Sequence, residues 1–270
     1  MPELPEVQTT VYGLQSLVNY QITNIFIYST KLRYKVPNNI SNLLRNNKIL
    51  KIYRIGKYIV FDLCNDYSFI IHLGMSGRLR IFNRNRLVKK KHDHFIIETK
   101  KFTLVYNDPR KFGFIDISNT KNILEKKYIQ ILGIDALNSK LNGNYLFNKI
   151  NNSIVPIKQL LLNQSILTGI GNIYACEILF DAKISPFKKG CNISLVESKK
   201  LILSIRKILK KAIMSGGSTL KDYKSTDGTI GNFQKNFKVY NKEGKKVKGK
   251  VILRKVQYGR STFYCPEIQV

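Results

Sequence analysis

The residues with the clearest capacity for chemistry stand in the first six positions, which read MPELPE. A proline directly after the initiator methionine predicts that the methionine is removed, which leaves Pro2 as a free secondary amine. Such an amine attacks electrophilic carbon and forms an iminium, which is covalent catalysis. It also titrates far closer to neutrality than a lysine side chain does. Glu3 stands beside it as a carboxylate able to move protons.

The residues that follow predict the helix that would position this pair. Apolar residues recur at spacings of three and four, at Leu4, Val7, Val11, Leu14 and Val18. Pro5 suits the first turn of a helix, and the positive end of the helix dipole favours a neutral, nucleophilic amine at Pro2. On spacing alone, Glu3 and Glu6 are also explained as acidic residues that complement the dipole at a helix start.

Length and composition bound the class of protein. A chain of 270 residues has room for two domains, each with its own core. Hydrophobic residues make up 43%, and no apolar run reaches the ~18 residues of a membrane span. The acidic, proline-containing start does not resemble a secretory signal. We therefore expect a cytoplasmic protein that has no membrane partner.

The charge balance points to a polyanionic partner. Lysine and arginine total 46 against 17 acidic residues, for a net charge of +29. Nucleic acid is the leading candidate for such a partner, although charge does not choose DNA over RNA. The four cysteines, Cys64, Cys176, Cys191 and Cys265, contain no Cys-x-x-Cys pair. They predict neither a disulfide framework nor a zinc ligand set.

The first part of the chain is rich in short β-type runs separated by polar turns. We predict strands at Ile22–Tyr28, Ile49–Ile55, Tyr58–Leu63, Phe69–Leu73, Phe95–Thr99, Phe102–Tyr106 and Phe112–Ile117. Strands at this spacing favour a β-sandwich over alternating βαβ units. The turn-forming residues of Ser118–Asn122 predict a domain boundary.

Beyond residue 151 the pattern becomes helical. Helices are predicted at Pro156–Leu162, Ile173–Asp181 and Ser194–Met214. Ser194 with Glu197 three residues later fits a capping box at the start of the last of these. A Gly/Ser/Thr-rich segment, Ser215–Gly231, follows, and β-type runs continue to the end of the chain.

Three motifs in this order resemble the formamidopyrimidine-DNA glycosylase family. They are PELPEV with Thr9-Thr10 at the start, LTGIGNIYA at 167–175 and GRSTFYC at 259–265. The resemblance covers nearly the whole chain. It implies a bifunctional DNA glycosylase and abasic-site lyase of base excision repair. Such an enzyme excises oxidised purines, including 8-oxoguanine and formamidopyrimidines, and nicks the strand by β,δ-elimination.

The resemblance also implies the fold and its division. The fold class is α+β, with an N-terminal β-sandwich and flanking helices, a C-terminal helical domain with a helix–two-turn–helix, and a terminal β-hairpin. We place a catalytic domain at 1–118, a linker at 119–150, the helix–two-turn–helix domain and lid loop at 151–235, and the hairpin at 236–270. The lid over the everted base corresponds to Ser215–Gly231, although composition there also fits a plain linker.

By this resemblance the catalytic residues are Pro2, Glu3, Lys57 and Arg260. Lys57 lies between two strand-like runs, so we predict it at or near a hairpin. By itself it would be one surface lysine among many. In the family the matching lysine contacts DNA and donates a proton during β-elimination, and the arginine matching Arg260 serves δ-elimination.

The DNA-binding residues implied are His72, Met75, His92, Arg110, Phe112 and Asn172. The segment His72–Gly77, here called the methionine loop, resembles the loop that fills the gap left by the flipped base. The segment Asn107–Gly113, here called the arginine loop, resembles the partner loop, where arginine faces the orphaned cytosine and phenylalanine wedges the stack. Extruding a base costs a few kcal/mol of stacking, which apolar or planar wedges offset. Taken alone, Met75 and Phe112 would be assigned to a core.

Two DNA contacts rest on shorter matches. Lys91–His94 matches a segment whose first histidine lies near phosphate, and a solvated loop with two histidines explains it nearly as well. At 167–175, glycines before a helix start present backbone N–H groups to an anion, and Asn172 adds a side-chain donor. A helix-capping turn without a ligand is the alternative there.

The tail departs from the family. Members usually close with a hairpin that holds zinc through four cysteines, and those positions here are Val247, Lys250, Cys265 and Ile268. Tetrahedral zinc needs four N, S or O donors, so we predict no metal site and no cofactor. We expect apolar packing to hold the hairpin instead, through Val247, Val251, Ile252, Phe263 and Ile268.

The partner implied is damaged double-stranded DNA, bound by a monomer. Two other functions stay open. The endonuclease VIII branch removes oxidised pyrimidines, but its start typically reads PEGPE, whereas Leu4 stands here. A DNA-binding relative without catalysis is the second, and the intact Pro2, Glu3 and Lys57 argue against it.

Overall fold

The chain divides into two compact units in the computed structural model, which describes residues 2–84, 89–218, 226 and 231–270. The first unit comprises Met1–Gln130 and Ser215–Asn232, and the second comprises Ile131–Met214 and Phe233–Val270. Residues 119–130, assigned to a linker from the sequence, lie in the first unit, and residues 131–150 lie in the second. Most of the predicted lid, Ser215–Gly231, lies outside the described residues.

The first unit is a β-sandwich of two antiparallel four-stranded sheets. Its strands are β1 (Ile22–Ile27), β2 (Ile49–Ile55), β3 (Tyr58–Leu63), β4 (Tyr67–His72), β5 (Arg78–Asn83), β6 (Asp93–Thr99), β7 (Phe102–Asn107) and β8 (Phe114–Asn119). One sheet has the order β2-β3-β4-β8 and the other has the order β1-β6-β7-β5. The predicted sandwich is confirmed, and β5 is an additional strand that was not predicted from the sequence.

The sandwich core forms because β-branched and aromatic residues alternate along these strands and face the opposite sheet. Phe61 of β3 and Phe69 of β4 stack in register, with ring centroids 4.1 Å apart. Both are fully buried, as are Ile59, Ile71 and Tyr106. The same core receives the apolar face of the first helix, which fixes that helix against the sheets.

Helix α1 (Leu4–Leu14) follows the predicted spacing, with Leu4, Val7, Val11 and Leu14 buried. A 3-10 turn (Gln15–Leu17) continues it, so Val18 lies beyond the helix and only packs at the edge of the core. Two short helices, α2 (Ile40–Leu44) and α3 (Lys127–Gln130), flank the sandwich.

Helices make up most of the second unit up to Met214. They are α4 (Gly143–Ile150), α5 (Ile157–Leu162), α6 (Asn172–Asp181) and α7 (Leu195–Met214). The capping box at α7 is confirmed: the Ser194 amide donates to the Glu197 carboxylate at 2.9 Å, and the Glu197 amide donates to Ser194 Oγ at 3.1 Å. Helix α4 packs on α7 and was not predicted. Within the described residues, no helix is long and apolar enough to cross a membrane.

Short strands complete the second unit. Strand β9 (Ile134–Asp135) pairs in parallel with β10 (Leu167–Thr168). Two antiparallel hairpins close the chain, β11 (Lys246–Val247) with β12 (Lys250–Val251), and β13 (Leu253–Gln257) with β14 (Arg260–Tyr264). The predicted α+β class, with a helical region and a terminal hairpin, is therefore confirmed.

Candidate active site and nucleic-acid interface

The N-terminal motif is buried at the start of α1. Glu3 occupies the N-cap position in an extended conformation, and Pro5 lies in the first turn of the helix as predicted. Glu3 is 3% exposed and Glu6 is 2% exposed. Burying two carboxylates is costly unless each is hydrogen-bonded. The alternative of acidic residues that complement a helix start also holds, because Glu3 and Glu6 form a reciprocal capping box at the start of α1.

Glu6 joins the start of α1 to a segment far along the chain. Its Oε2 accepts from the Glu3 amide at 2.9 Å. Its Oε1 accepts from the backbone amide of Ser218 at 2.8 Å and from the Ser218 hydroxyl at 2.9 Å. The same carboxylate therefore fixes the backbone of Glu3 and the first residues of the segment predicted as a lid. Nothing in the local sequence predicts this role for Glu6.

Lys57 lies in the two-residue turn between β2 and β3, where Ile55 pairs with Tyr58, so its predicted place in a hairpin is confirmed. Gly56 precedes it with a φ of 58°, a left-handed conformation that glycine adopts without strain. Lys57 is only 7% exposed and is not an ordinary surface lysine. Arg54 holds this turn, because it donates to the Gly56 carbonyl at 2.7 Å and to Gln8 Oε1 of α1 at 3.1 Å.

His72 ends β4 on the sheet that carries Lys57. Its ring lies 5.4 Å from Phe114 and 5.0 Å from Tyr58, measured between ring centroids. Burial, followed by the positive charges of Lys57 and Arg33, lowers the pKa of His72 to about 4. Its Nδ1 accepts a hydrogen bond from the Gly74 amide at 3.2 Å. A neutral His72 with an acceptor Nδ1 carries its proton on Nε2.

The methionine and arginine loops present their predicted wedge residues to solvent. Met75 is 41% exposed and Phe112 is 42% exposed, so neither is a core residue. The Arg110 guanidinium lies over the Phe112 ring, 4.5 Å from its centroid, which is cation–π geometry. Exposed apolar side chains beside an arginine are what insertion into a base stack requires.

Glycines let the two loops approach each other closely. Gly74 has a φ of 61°, and a Cβ built there would overlap the backbone of Phe112 and Gly113. A Cβ at Gly113 would overlap the Tyr106 hydroxyl and the His72 carbonyl. The loops therefore touch along their backbones, which no larger residue at these positions allows.

His92 has a φ of 74° and stands just before β6. The next residue, Asp93, is 2% exposed and forms an ion pair with Arg80 at 2.5 Å. His94 is also buried. The alternative of a solvated loop with two histidines is therefore wrong for Asp93 and His94, which begin a strand. Across the described residues, no group of three or more His, Cys, Asp or Glu side chains could hold a metal.

The glycine-containing turn before α6 is held by Gln164. Its Oε1 accepts from the Gly169 amide at 3.0 Å, and its Nε2 donates to the Ile170 carbonyl at 2.9 Å. Gly169 has a φ of 106°, and Gly171 is the N-cap residue of α6. The helix start lies where the sequence predicted an anion-binding turn.

Asn172 links this turn to the terminal hairpin. Its Nδ2 donates to the Ser261 carbonyl at 3.0 Å. The fully buried Lys158 of α5 donates to the same carbonyl at 3.1 Å and to Thr262 Oγ1 at 2.7 Å. Arg260, which directly precedes Ser261, is exposed as the first residue of β14. The turn Tyr258–Gly259 before it is left-handed at both residues, as a tight hairpin requires.

Comparison with known proteins decides the family. The model for the formamidopyrimidine-DNA glycosylase N-terminal domain matches residues 1–115, and the model for the H2TH domain of the same enzymes matches residues 132–224. The formamidopyrimidine-DNA glycosylase of Zymomonas mobilis is 42% identical over 272 residues, and the alignment covers 100% of both chains. That of Rickettsia conorii is 40% identical, with 100% of this chain and 99% of the relative covered.

The chain belongs to the formamidopyrimidine-DNA glycosylase family.

Solved structures agree with this assignment. A Lactococcus lactis FPG mutant in complex with a Fapy-dG-containing DNA superposes with a TM-score of 0.92 at 32% identity, with 99% of each chain covered. The Lactococcus lactis Fpg in complex with an abasic-site-containing DNA gives a TM-score of 0.91 at 31% identity, also with 99% of each chain covered.

The tail of this family member, residues 236–270, does not fit the zinc ion that the family usually carries. Lys250 Nζ forms an ion pair with Glu267 Oε2 at 2.7 Å, so a cation occupies one ligand position. Val247 and Ile268 pack against an apolar cluster of Cys176, Phe180, Val239, Ile252, Phe263 and Cys265. Val251, predicted to belong to this packing, is 39% exposed, and that prediction was wrong because β12 turns its side chain outward.

Three residues with structural roles at these sites were missed from the sequence. Glu6 and Lys158 are described above, and Asp108 is fully buried in the arginine loop. For Lys158 the sequence held a signal, because this lysine lies within the apolar helix PIKQLLL. A lysine is rarely fully buried without a partner, so its place there indicates a polar partner inside the fold. Each of the three has at least one partner far away in the sequence, which only the folded chain identifies.

Proposed function

We propose that this protein is a bifunctional DNA glycosylase and abasic-site lyase of base excision repair. Its substrate is damaged double-stranded DNA that carries an oxidised purine such as 8-oxoguanine or a formamidopyrimidine. The observation that carries the proposal is the buried Pro2-Glu3 pair at the start of α1, in a chain of this family. We propose that the protein acts as a monomer in the cytoplasm, at the bacterial nucleoid.

The reaction begins with the amine of a processed Pro2. Its lone pair attacks the C1′ carbon of the damaged nucleotide, and the bond from C1′ to the base breaks. Opening of the sugar ring gives an iminium between Pro2 and C1′, and Glu3 moves the protons that these steps require. The iminium acidifies C2′, so loss of its proton breaks the C3′–O bond, which is β-elimination. A further elimination breaks the C5′–O bond.

Cations assist at the two phosphates that leave. Lys57, in its turn beside α1, is suited to contact one phosphate and to donate a proton during β-elimination. Arg260, exposed on β14, is suited to the δ-elimination phosphate. Met75, Arg110 and Phe112 would occupy the space of the extruded base and face its orphaned partner. His72, His92 and Asn172 would contact the DNA backbone.

No cofactor enters this chemistry, and we propose that the hairpin carries no zinc. Four donors are needed for a tetrahedral zinc site, and valine, isoleucine and an ion-paired lysine provide none of them. The apolar cluster around Ile252 and Phe263 holds residues 236–270 in place, and the exposed Lys250–Glu267 ion pair adds little to it.

Borohydride trapping tests the proposal directly. On a duplex carrying 8-oxoguanine opposite cytosine, borohydride should reduce the iminium to a stable adduct, and peptide mapping should place it on Pro2. Lys57→Ala is the matched control, because it removes a primary amine near α1 and should still give the Pro2 adduct. An adduct on Lys57, or an active protein that retains its methionine, would overturn the assignment.

Substrate preference separates the branches of the family. Leu4 stands where the endonuclease VIII branch typically has a glycine. We therefore expect 8-oxoguanine opposite cytosine to be excised faster than thymine glycol under matched conditions. The reverse order would place this protein with the endonuclease VIII-like enzymes for oxidised pyrimidines. Binding without excision of either lesion would make it a non-catalytic relative.

A further inference from the structure

Asp108 lies at the point where the methionine loop and the arginine loop meet. It is fully buried, and its side chain accepts hydrogen bonds from both loops. Oδ1 accepts from the Ser76 hydroxyl of the methionine loop at 2.6 Å. Oδ2 accepts from the Gly113 amide of the arginine loop at 2.8 Å. One carboxylate therefore fixes a residue next to Met75 and a residue next to Phe112.

Further hydrogen bonds close this connection into a network. The Arg110 amide lies 3.3 Å from both Ser76 Oγ and Asp108 Oδ1. The Tyr106 hydroxyl donates to Oδ2 at 3.1 Å. Burial, together with the charge of Asp108, raises the pKa of Tyr106, so its hydroxyl stays protonated as a donor. Hydrogen bonds to a buried carboxylate are among the strong ones.

The backbone of Asp108 extends the network to the His92 segment. Its amide donates to the His92 carbonyl at 3.1 Å, and its carbonyl oxygen lies 2.8 Å from Nε2 of His94. The position of Asp108 is therefore fixed by the sheet, and the two loops are fixed by its side chain.

We propose that Ser76 and Asp108 are a positioning pair that locks the methionine loop to the arginine loop. Met75 and Arg110 then enter the DNA as one rigid unit, so that filling the gap and reading the orphaned base become a single step. This inference rests on the proposed glycosylase function and assigns its opposite-base selectivity to a contact that touches no DNA.

Ser76→Ala tests the pair, because it removes the hydroxyl and leaves Met75 and Gly77 in place. Ser68→Ala is the matched control: Ser68 Oγ donates to Asp62 Oδ1, also at 2.6 Å, on the same sandwich but outside both loops. Both variants lose one serine–aspartate hydrogen bond. Their urea unfolding midpoints are measured first, so that general destabilisation is separated from selectivity.

Three rates are then compared for each protein: excision of 8-oxoguanine opposite cytosine, its excision opposite adenine, and nicking of a duplex with a preformed abasic site. Loss of one hydrogen bond to a charged group is worth about tenfold in rate. For Ser76→Ala the cytosine-to-adenine ratio should therefore fall by about that factor, while nicking of the abasic duplex changes little. Ser68→Ala should keep the wild-type ratio.

Asp108→Asn supplies an independent test. An asparagine side chain has one acceptor oxygen, whereas the donors of the two loops bond to both carboxylate oxygens of Asp108. It should lower the same ratio at least as far as Ser76→Ala. If either variant keeps the wild-type ratio while folding normally, the inference is wrong. If the wild-type protein does not excise 8-oxoguanine opposite either base, it is the proposed function that fails. The two failures are therefore distinguishable.

Discussion

Lys158 Nζ donates a hydrogen bond to the Ser261 carbonyl oxygen at 3.1 Å, although the two residues are 103 positions apart in the sequence. The same ammonium donates to Thr262 Oγ1, and that hydroxyl donates onward to Gln257 Oε1 at 2.9 Å. Asn172 Nδ2 donates to the same Ser261 carbonyl at 3.0 Å. A buried polar network therefore holds both strands of the hairpin that presents Arg260.

Replacing Lys158 by methionine should separate the presentation of Arg260 from the chemistry at Pro2. Methionine keeps an apolar stem of similar length but loses both hydrogen bonds. We expect a fall in the proportion of δ-elimination product and little change in base excision. The unfolding free energy should fall by about 1–3 kcal/mol, because buried acceptors lose their donor. Gel analysis of the 5′ and 3′ product ends measures the first effect.

Two further variants set the limits of the effect expected for Lys158→Met. Arg260→Ala should show the full loss of δ-elimination, so Lys158→Met should lie between it and the wild type. Lys210→Met removes an exposed lysine from the same unit and should change neither product ratio nor stability. A Lys158→Met protein with the wild-type product ratio would show that the network does not position Arg260.

The apolar cluster of the terminal hairpin should take the structural part that zinc plays elsewhere in the family. Ile252 is 1% exposed, and Ile252→Ala should cost about 2–5 kcal/mol in unfolding free energy. Val251→Ala, one residue earlier and 39% exposed, should cost less than about 0.5 kcal/mol. Equal effects of the two substitutions in urea titrations would contradict this account of the hairpin.

Metal analysis gives a separate test of the same hairpin. Purified protein should contain no stoichiometric zinc, and a strong chelator should leave fold and activity unchanged. Cys265 is buried in the apolar cluster and offers one sulfur at most. One zinc per chain, with unfolding on chelation, would show the prediction to be wrong.

His72 should make stability depend on pH in the acidic range. Its pKa is lowered from an ordinary 6.5 to about 4, first by burial and then by Lys57 and Arg33. Below pH 6.5 the unfolded chain binds a proton that the folded chain refuses, so stability falls as pH drops and the loss levels off near pH 4. The loss corresponds to at most about 3 kcal/mol.

His72→Gln isolates this contribution, because a glutamine still offers an acceptor for the Gly74 amide but does not titrate. Urea unfolding of both proteins at pH 7, 5.5 and 4 should show the smaller loss for the variant. Parallel curves for the two proteins would mean that other groups account for the acid sensitivity.

Local pattern was enough to predict most of the sandwich. The β2 and β3 boundaries follow directly from ILKIYRI and YIVFDL, because β-branched and aromatic residues bounded by a tight turn specify a hairpin. Strand β5 was missed because arginines alternate in RLRIFN. Their charges are satisfied only by tertiary partners, since Arg80 pairs with Asp93 and Arg78 donates to Asn107 Oδ1 at 3.2 Å.

The site was predictable where motif and local geometry coincide, and not where partners are remote. The turn that carries Lys57 and the start of α1 both follow from neighbouring residues. The bond between Ser76 and Asp108 joins residues 32 positions apart, and that between Glu6 and Ser218 joins residues 212 apart. Periodicity reports which face a residue occupies but not which distant residue faces it.

Glu6→Gln tests whether one carboxylate supports both Glu3 and the segment that begins at Ser218. The carboxylate accepts from the Glu3 amide with one oxygen and from Ser218 with the other. A glutamine has one acceptor oxygen, so its NH₂ group must face an N–H donor and leave it unsatisfied. This should cost about 1–3 kcal/mol in unfolding free energy.

The same change should slow borohydride trapping, because the backbone of Glu3 loses its restraint beside Pro2. The exposed Glu125→Gln is the matched control, since it makes the same chemical change on the surface of the same unit. It should shift the urea midpoint little and leave trapping unchanged. If Glu6→Gln unfolds at the wild-type urea concentration, the hydrogen bonds to Glu3 and Ser218 do not contribute to stability. If it is destabilised and yet traps at the wild-type rate, Glu6 supports the fold without positioning Glu3.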